Sequence, residues 1–201
     1  MTGGATGWVP DVLPGYWQRT IPLGSDPAGE GDIVATLVRR GEPTGADHHA
    51  VLAVHGYTDY FFNTALADHF ADRGFAFYAL DMQKCGRSRR DGQTPHFITD
   101  LALYDAELEL ALAAIREQAP AGRPGDVLVY GHSSGGLIVP LWLDRLRRRD
   151  PAAHGRGRSS RSTAGCRPRH RRSAVPHRNT PAHAPAPAAR RACAAAGPRA
   201  R

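Results

Sequence analysis

The feature that most constrains the fold is the stretch VLVYGHSSGGLIVPLW, in which Ser133 lies between two apolar runs. The run that starts at Val127 is short and apolar, which is typical of a buried strand. The run that ends at Trp142 is long enough for a helix, although Pro140 inside it removes a backbone hydrogen bond or bends the axis. The stretch therefore predicts a strand, a tight turn at Ser133 and a helix.

The rest of residues 1–150 repeats this alternation. Two early segments, YWQRTIPL and GDIVATLVRRG, predict a β-hairpin, and apolar strands that end at Gly56 and Asp81 follow. Between them a helix is predicted, with Asn63 as its N-cap and Gly74 after its end. A longer helix is predicted over ITDLALYDAELELALAAIREQ, with one apolar face made of Leu101, Tyr104, Leu108, Leu112 and Ile115. We therefore predict a three-layer α/β fold with a mostly parallel sheet.

The turn itself carries the pattern Gly-x-Ser-x-Gly, formed by Gly131, His132, Ser133, Ser134 and Gly135. In such a nucleophile elbow the serine sits on a strained turn, and small residues on both sides let other backbone segments approach. The following helix directs its positive end towards the place where a tetrahedral anion would form. A glycine-rich loop is the alternative, but the flanking strand and helix are the context that the elbow requires. We therefore predict Ser133 as a nucleophile.

Three segments, HGYTDYF, FYALDMQKCGRS and YGHSSGG, occur in an order and spacing that resemble the α/β-hydrolase superfamily. Within it the chain is similar to the serine aminopeptidase and monoacylglycerol lipase-like (lysophospholipase-type) branch, over about residues 30–150. The resemblance implies hydrolysis of a carboxylic ester, acylglycerol or lysophospholipid through an acyl-serine, without cofactor or metal. It implies Ser133 as nucleophile and the backbone N–H groups of Tyr57 and Ser134 as oxyanion hole. The residues expected to support the loop and the turn are His55, Gly56, Gly131 and Gly135.

Three further polar residues lie in these segments. His132 is predicted to face sideways and to pack rather than to act as a base. Asp59 is predicted at the rim of the pocket, where it either touches substrate or is a solvated loop acid. Lys84 stands where the resembled family's Asp-x-x-Gly-x-Gly-x-Ser loop usually has a glycine, so we expect that loop to run differently.

A serine nucleophile needs a histidine base and an acid that orients it, and in this fold both follow the serine in the chain. The only acidic residues after Ser133 are Asp144 and Asp150. Asp144 is eleven residues down the helix, about 16 Å along an axis that rises about 1.5 Å per residue, and cannot reach the site. The later histidines lie beyond residue 150. No triad acid or base is found, and little or no hydrolase activity is expected of the chain as written.

The composition changes abruptly at Pro151. Residues 151–201 contain twelve arginines, no acidic residue and one large aliphatic residue, Val175, whereas residues 1–150 contain all 19 acidic residues. Such a tail cannot bury enough apolar surface to offset a chain entropy of about 1–2 kcal/mol per residue, so we predict disorder. A G+C-rich gene read in the wrong frame has this composition. We interpret residues 1–150 as the N-terminal part of an α/β-hydrolase domain, truncated after the elbow helix, and the tail as a frameshift product.

The competing function is that of a non-catalytic hydrolase-like fragment whose basic tail binds nucleic acid or another polyanion. The tail has no aromatic residue for base stacking and no lysine, so no specific nucleic-acid partner is expected. The expected partner is a small-molecule ester or acyl-lipid substrate, whose identity the sequence leaves open together with the oligomeric state. The absence of a signal segment or membrane-spanning run, and three widely spaced cysteines, predict a cytoplasmic protein.

Overall fold

The described part of the computed structural model comprises residues 7–45, 47–120 and 126–149. The tail after residue 150, with its predicted disorder and its frameshift interpretation, lies outside these residues. So do Asp150 and all of the later histidines.

The described residues form six strands and three α-helices. The strands are β1 (Val9–Pro10), β2 (Tyr16–Ser25), β3 (Asp32–Arg40), β4 (Ala50–Val54), β5 (Ala76–Asp81) and β6 (Val127–Gly131). The helices are α1 (Thr64–Ala71), α2 (Asp105–Arg116) and α3 (Gly135–Arg149), with short 3-10 helices at Gly86–Ser88 and Leu101–Tyr104. These bounds confirm the predicted order of strands and helices from β2 onward, whereas the two-residue β1 was not predicted.

The strands form one mixed sheet in the order β1-β2-β3-β5-β4-β6. β4 is parallel to β5 on one side and to β6 on the other, as the alternation of strands and helices predicts. β2 and β3 form the predicted hairpin, and the antiparallel pairing continues from β3 to β5. The register of the hairpin shifts between Pro22 and Gly24, where proline has no N–H to donate to the ladder. The α/β fold is therefore confirmed, as a single mixed sheet in which two pairings are parallel and three are antiparallel.

Apolar layers cover both faces of the sheet. On one face α2 and α3 bury Leu108, Ile115 and Trp142 against the strands. On the other face α1 buries Ala67 in a cluster that includes Phe77. β4 lies between the two layers, and all five of its residues are buried. The position of β4 explains why its sequence is continuously apolar.

The helix boundaries follow local hydrogen bonding. The Asn63 side chain accepts a hydrogen bond from the Leu66 N–H at 3.0 Å, which confirms the predicted N-cap of α1. The predicted long helix is divided, because the Asp100 side chain accepts from the Ala102 N–H at 2.8 Å and begins a separate 3-10 helix. α2 then starts at Asp105. No helix in the described ranges is long and apolar enough to cross a membrane.

Candidate active site

Ser133 occupies the turn between the end of β6 and the start of α3. Its φ is +51°, in the left-handed region that residues with a side chain seldom adopt. Backbone strain of this kind persists only where the surroundings hold it, and it is concentrated at functional positions. The predicted strand, strained turn and helix are all present.

Three glycines let other backbone segments pack directly against this turn. A Cβ atom on Gly131 would lie 2.5 Å from the Gly135 carbonyl oxygen, and one on Gly135 would lie 2.5 Å from the Val54 carbonyl oxygen. A Cβ atom on Gly56 would lie 3.1 Å from the Ser133 Cβ. The first two contacts are with rigid backbone, so no side chain fits there. The loop after β4 and the turn are thus held close together, as the pattern Gly-x-Ser-x-Gly predicts.

His55 is buried beneath the loop that follows β4. Its Nε2 accepts a hydrogen bond from the Met82 N–H at 3.1 Å, and its Nδ1 lies 2.7 Å from the Gly56 carbonyl oxygen. Because Nε2 accepts, this network assigns the proton to Nδ1, which donates to that carbonyl. Both ring nitrogens are therefore engaged with the backbone, an arrangement that suits the predicted bracing role and not that of a base.

Tyr57 follows the loop glycine that packs against the Ser133 turn, and Ser134 is the next residue of the turn itself. Neither backbone N–H donates to another group in the described part of the chain. For Ser134 the reason is its place at the N-terminus of α3, where the first N–H groups of a helix have no partner within the helix. The two residues also border a small cavity of about 70 Å³. They are available as oxyanion donors.

Two cavities flank the turn. The smaller one lies between the Tyr57 and Ser134 side of the turn and the loop after β5, and its walls include Met82, Cys85 and Tyr104. A larger cavity of about 200 Å³ lies between the start of α1 and the end of β6. Asp59 and His132 line the larger cavity, so Asp59 lies where the sequence predicts it.

His132 does not pack into the protein. Its side chain is 64% exposed, and its Nδ1 lies 3.9 Å from a carboxylate oxygen of Asp59. The prediction that His132 packs is therefore wrong. The side chain lies where no described element covers it.

Lys84 adopts the backbone conformation that glycine readily adopts, with φ of +60°. Whether the loop runs differently from that of the family stays a prediction. The side chain is fully buried, with its Nζ 2.7 Å from an Asp26 carboxylate oxygen and 2.8 Å from a Glu30 carboxylate oxygen. Burial alone would lower the pKa of Lys84, but the two carboxylates outweigh it and raise the pKa. The lysine thus ties the loop after β5 to the β2–β3 hairpin.

Asp81, at the end of β5, organises the loops around the site, a role that the sequence analysis missed. Its carboxylate accepts hydrogen bonds from the Phe61 N–H at 2.7 Å and from the Arg87 guanidinium at 2.9 Å. Arg87 also forms a bidentate salt bridge with Asp11, in which Nε and Nη2 donate to the two carboxylate oxygens at 2.8 and 2.7 Å. The signal in the sequence is an acid at the end of a buried strand with an arginine six residues later.

Glu107 of α2 is a second residue that the sequence analysis missed. It is completely buried, and its carboxylate accepts hydrogen bonds from the Gln83 N–H at 2.9 Å and the Gln83 side-chain amide at 3.2 Å. Burial raises the pKa of Glu107 to about 8, and the two bonds from Gln83 only partly oppose this shift. The signal in the sequence is weak, since Glu107 falls between apolar positions of an amphipathic helix.

The geometry and the motifs match a known family. The family model described as "Serine aminopeptidase, S33" matches residues 45–155, more than half of the chain. The chain belongs to the serine aminopeptidase S33 family. The predicted resemblance to the α/β-hydrolase superfamily is thereby confirmed. No curated protein matches this S33 family member.

Solved structures similar to this S33 family member include a lipase in an open form, with 23% identity over 60% of this chain and 38% of that chain, and a TM-score of 0.43. An acetyl xylan esterase from Paenibacillus sp. R4 has 22% identity over 65% of this chain and 46% of that chain, with a TM-score of 0.39. A cold-adapted esterase from an Arctic intertidal metagenomic library has 18% identity over 71% of this chain and 62% of that chain, with a TM-score of 0.45. The S33 chain spans less than two thirds of each.

Proposed function

We propose that residues 1–150 of the chain are the N-terminal part of a serine hydrolase. Such an enzyme transfers the acyl group of a carboxylic ester to water. The observation that carries this proposal is Ser133 at φ +51° between β6 and α3, next to a small cavity bordered by Tyr57 and Ser134, whose N–H groups donate to no described residue. Membership of the S33 family supports the same reaction class.

In the proposed reaction the Ser133 hydroxyl oxygen attacks the ester carbonyl carbon while a base takes the hydroxyl proton. The carbonyl oxygen becomes an anion, to which the N–H groups of Tyr57 and Ser134 donate hydrogen bonds. The bond to the alcohol then breaks, and the alcohol leaves with the proton. Water attacks the acyl-serine in the same way and releases the acid.

The base for these steps is not located in the described residues. His55 uses both ring nitrogens for backbone hydrogen bonds, and no described histidine forms a hydrogen bond with Ser133. A serine hydroxyl without a base is a weak nucleophile. We infer that the 201-residue chain has the turn and the oxyanion donors but little turnover.

The proposed substrate carries an apolar acyl group. Three aromatic side chains of the loop after β4 are exposed beside the two cavities, namely Tyr57 (70%), Tyr60 (46%) and Phe62 (60%). Tyr60 and Phe62 lie with ring centroids 5.6 Å apart. Exposed aromatic surface at the mouth of a site favours an acylglycerol, a lysophospholipid or a simple apolar ester over a highly charged substrate.

A fluorophosphonate probe tests the assignment of Ser133, because the serine oxygen displaces fluoride from its phosphorus while the oxyanion donors stabilise the phosphoryl oxygen. We expect slow labelling of the 201-residue chain, confined to Ser133 in a peptide map. Ser133→Ala should abolish labelling, whereas the matched control Ser134→Ala should keep it, since alanine retains the backbone N–H. Undiminished labelling of the Ser133→Ala variant would refute the assignment. A folded wild-type chain that does not label at all would favour the non-catalytic alternative.

A further inference from the structure

A line of hydrogen bonds leads from the interior to the Tyr57 N–H. This N–H belongs to the same planar peptide unit as the Gly56 carbonyl, so the two groups point in opposite directions. His55 Nδ1 donates to that carbonyl at 2.7 Å, and His55 Nε2 accepts from the Met82 N–H at 3.1 Å. The imidazole therefore sets the orientation of the peptide and polarises its N–H.

The line continues through Gln83, the residue after Met82. Glu107 accepts both from the Gln83 backbone N–H at 2.9 Å and from the Gln83 side-chain amide at 3.2 Å. Both residues are buried, and Glu107 lies on the face of α2 that otherwise contributes Leu108, Ala111 and Ile115 to the core. A carboxyl group in this setting is unfavourable unless its hydrogen bonds are satisfied. Gln83 supplies those bonds and is fixed by them.

We propose that Glu107 is a positioning residue for the oxyanion loop, acting through Gln83, Met82 and His55 on the direction of the Tyr57 N–H. The proposal rests on the function proposed above, since that function makes the Tyr57 N–H an oxyanion donor. Glu107 touches neither substrate nor Ser133. Its contribution is to fix Gln83 and thereby the position of the neighbouring Met82 N–H, which donates to the imidazole.

The protonation state of Glu107 provides a way to observe this coupling. A protonated carboxyl has one oxygen that acts as a donor, so protonation weakens one of the two hydrogen bonds from Gln83. Since burial raises the pKa of Glu107 to about 8, the change falls between about pH 7 and 9.

Burial moves the pKa values of three other titratable groups near the network away from this interval. Cys85, from the loop after β5, and Tyr104, from the turn before α2, face Glu107. Burial raises the pKa of Cys85 to about 12 and also raises the pKa of Tyr104. His96 contacts Cys85 and the Tyr57 ring, and burial lowers its pKa. Loss of a titration near pH 8 in Glu107→Gln would assign that titration to Glu107.

The test is a pH titration of ¹⁵N-labelled 201-residue protein, followed by the amide ¹H and ¹⁵N shifts of Gln83 and Tyr57. We expect both amides to titrate with one shared midpoint near 8. Glu107→Gln should abolish the titration and keep the Tyr57 shift near the low-pH plateau of the wild type, because an amide, like a protonated carboxyl, offers Gln83 one acceptor and one donor. Glu107→Leu should move the Tyr57 shift away from both plateaus. The matched control is Glu109→Gln, which changes a half-exposed carboxylate of the same helix and should leave the titration intact.

A Tyr57 amide that stays constant while Gln83 titrates would overturn the proposal, because the network would then end at Gln83. If Ser133 reacts with fluorophosphonate, the labelling rate should fall about tenfold in Glu107→Leu and recover in Glu107→Gln. The reason is that loss of one oxyanion donor lowers the reaction rate by at least about this factor. If Ser133 does not react with the probe, the proposed function is refuted. The amide titration then still tests the coupling between Glu107 and the Tyr57 N–H.

Discussion

At the scale of single residues, Gly135 shows most directly how the backbone of the candidate site is held. A Cβ atom there would meet two carbonyl oxygens, 2.5 Å away at Val54 and 2.7 Å away at His55. The neighbouring Gly136 is different, because its added Cβ would have only the Gly131 oxygen within reach, at 3.6 Å. The two adjacent glycines therefore form a matched pair for mutation.

We expect Gly135→Ala to lower the free energy of unfolding by about 1–3 kcal/mol, because rigid backbone must move to admit the methyl group. The same displacement separates the loop after β4 from the turn, so fluorophosphonate labelling of Ser133 should also be lost. Gly136→Ala should be neutral or stabilising by up to about 1 kcal/mol, since alanine favours a helix. Urea unfolding of both variants measures the difference, and equal stability of the two would contradict the steric argument.

At the scale of elements, Lys84 joins the loop after β5 to the β2–β3 hairpin. Lys84→Met should leave Asp26 without its buried partner and loosen the hairpin turn, which amide hydrogen exchange at Gly29 and Glu30 would detect as faster exchange. A matched control is Arg40→Met, which removes an ion pair with Asp68 that is about half exposed and should have little effect.

The effect of Lys84→Met should depend on pH. The hydrogen bond from Lys84 holds the pKa of Asp26 below its usual value. A depressed pKa in the folded state means that the pair stabilises the protein above the normal pKa of aspartate and loses this effect as pH falls through the folded value. The stability gap between wild type and Lys84→Met should therefore be constant from about pH 6 to 8 and close below about pH 4. A gap that widens in acid would show that the ion pair is not the cause.

The secondary-structure elements could be predicted from the sequence, but the side-chain contacts between them could be predicted only in part. Apolar periodicity located most strands and helices to within a few residues, because burial on a sheet or helix face imposes that period. The exceptions are β1, which was not predicted, and α2, which starts at Asp105 and not at Ile98. The Gly-x-Ser-x-Gly pattern located the strained turn, because only small residues admit the neighbouring backbone. The exposure of His132, the burial of Lys84 and the contact of Glu107 with Gln83 depend on partners distant in sequence. Local patterns carry no information about such partners.

At the scale of the whole molecule, β6 is an edge of the sheet as far as the described residues extend. It pairs with β4 on one side, and no described strand pairs with its other side. Its five residues, unlike those of β4, are only half-buried or exposed, and Leu128 is 49% exposed. An apolar strand with a free row of N–H and C=O groups is a template for pairing with another chain.

We therefore expect the 201-residue polypeptide, expressed alone, to associate through β6 in a concentration-dependent way. Leu128→Lys should weaken this association by about tenfold or more, because burying a leucine contributes about 1.5–3 kcal/mol and about 1.4 kcal/mol corresponds to a factor of ten. Val12→Lys is the matched control, since Val12 is 81% exposed and follows β1 at the opposite edge of the sheet. Sedimentation velocity over a range of concentrations distinguishes the three proteins. If wild type stays monomeric throughout, or if Val12→Lys disrupts association as strongly as Leu128→Lys, then β6 is not the edge through which the chains meet.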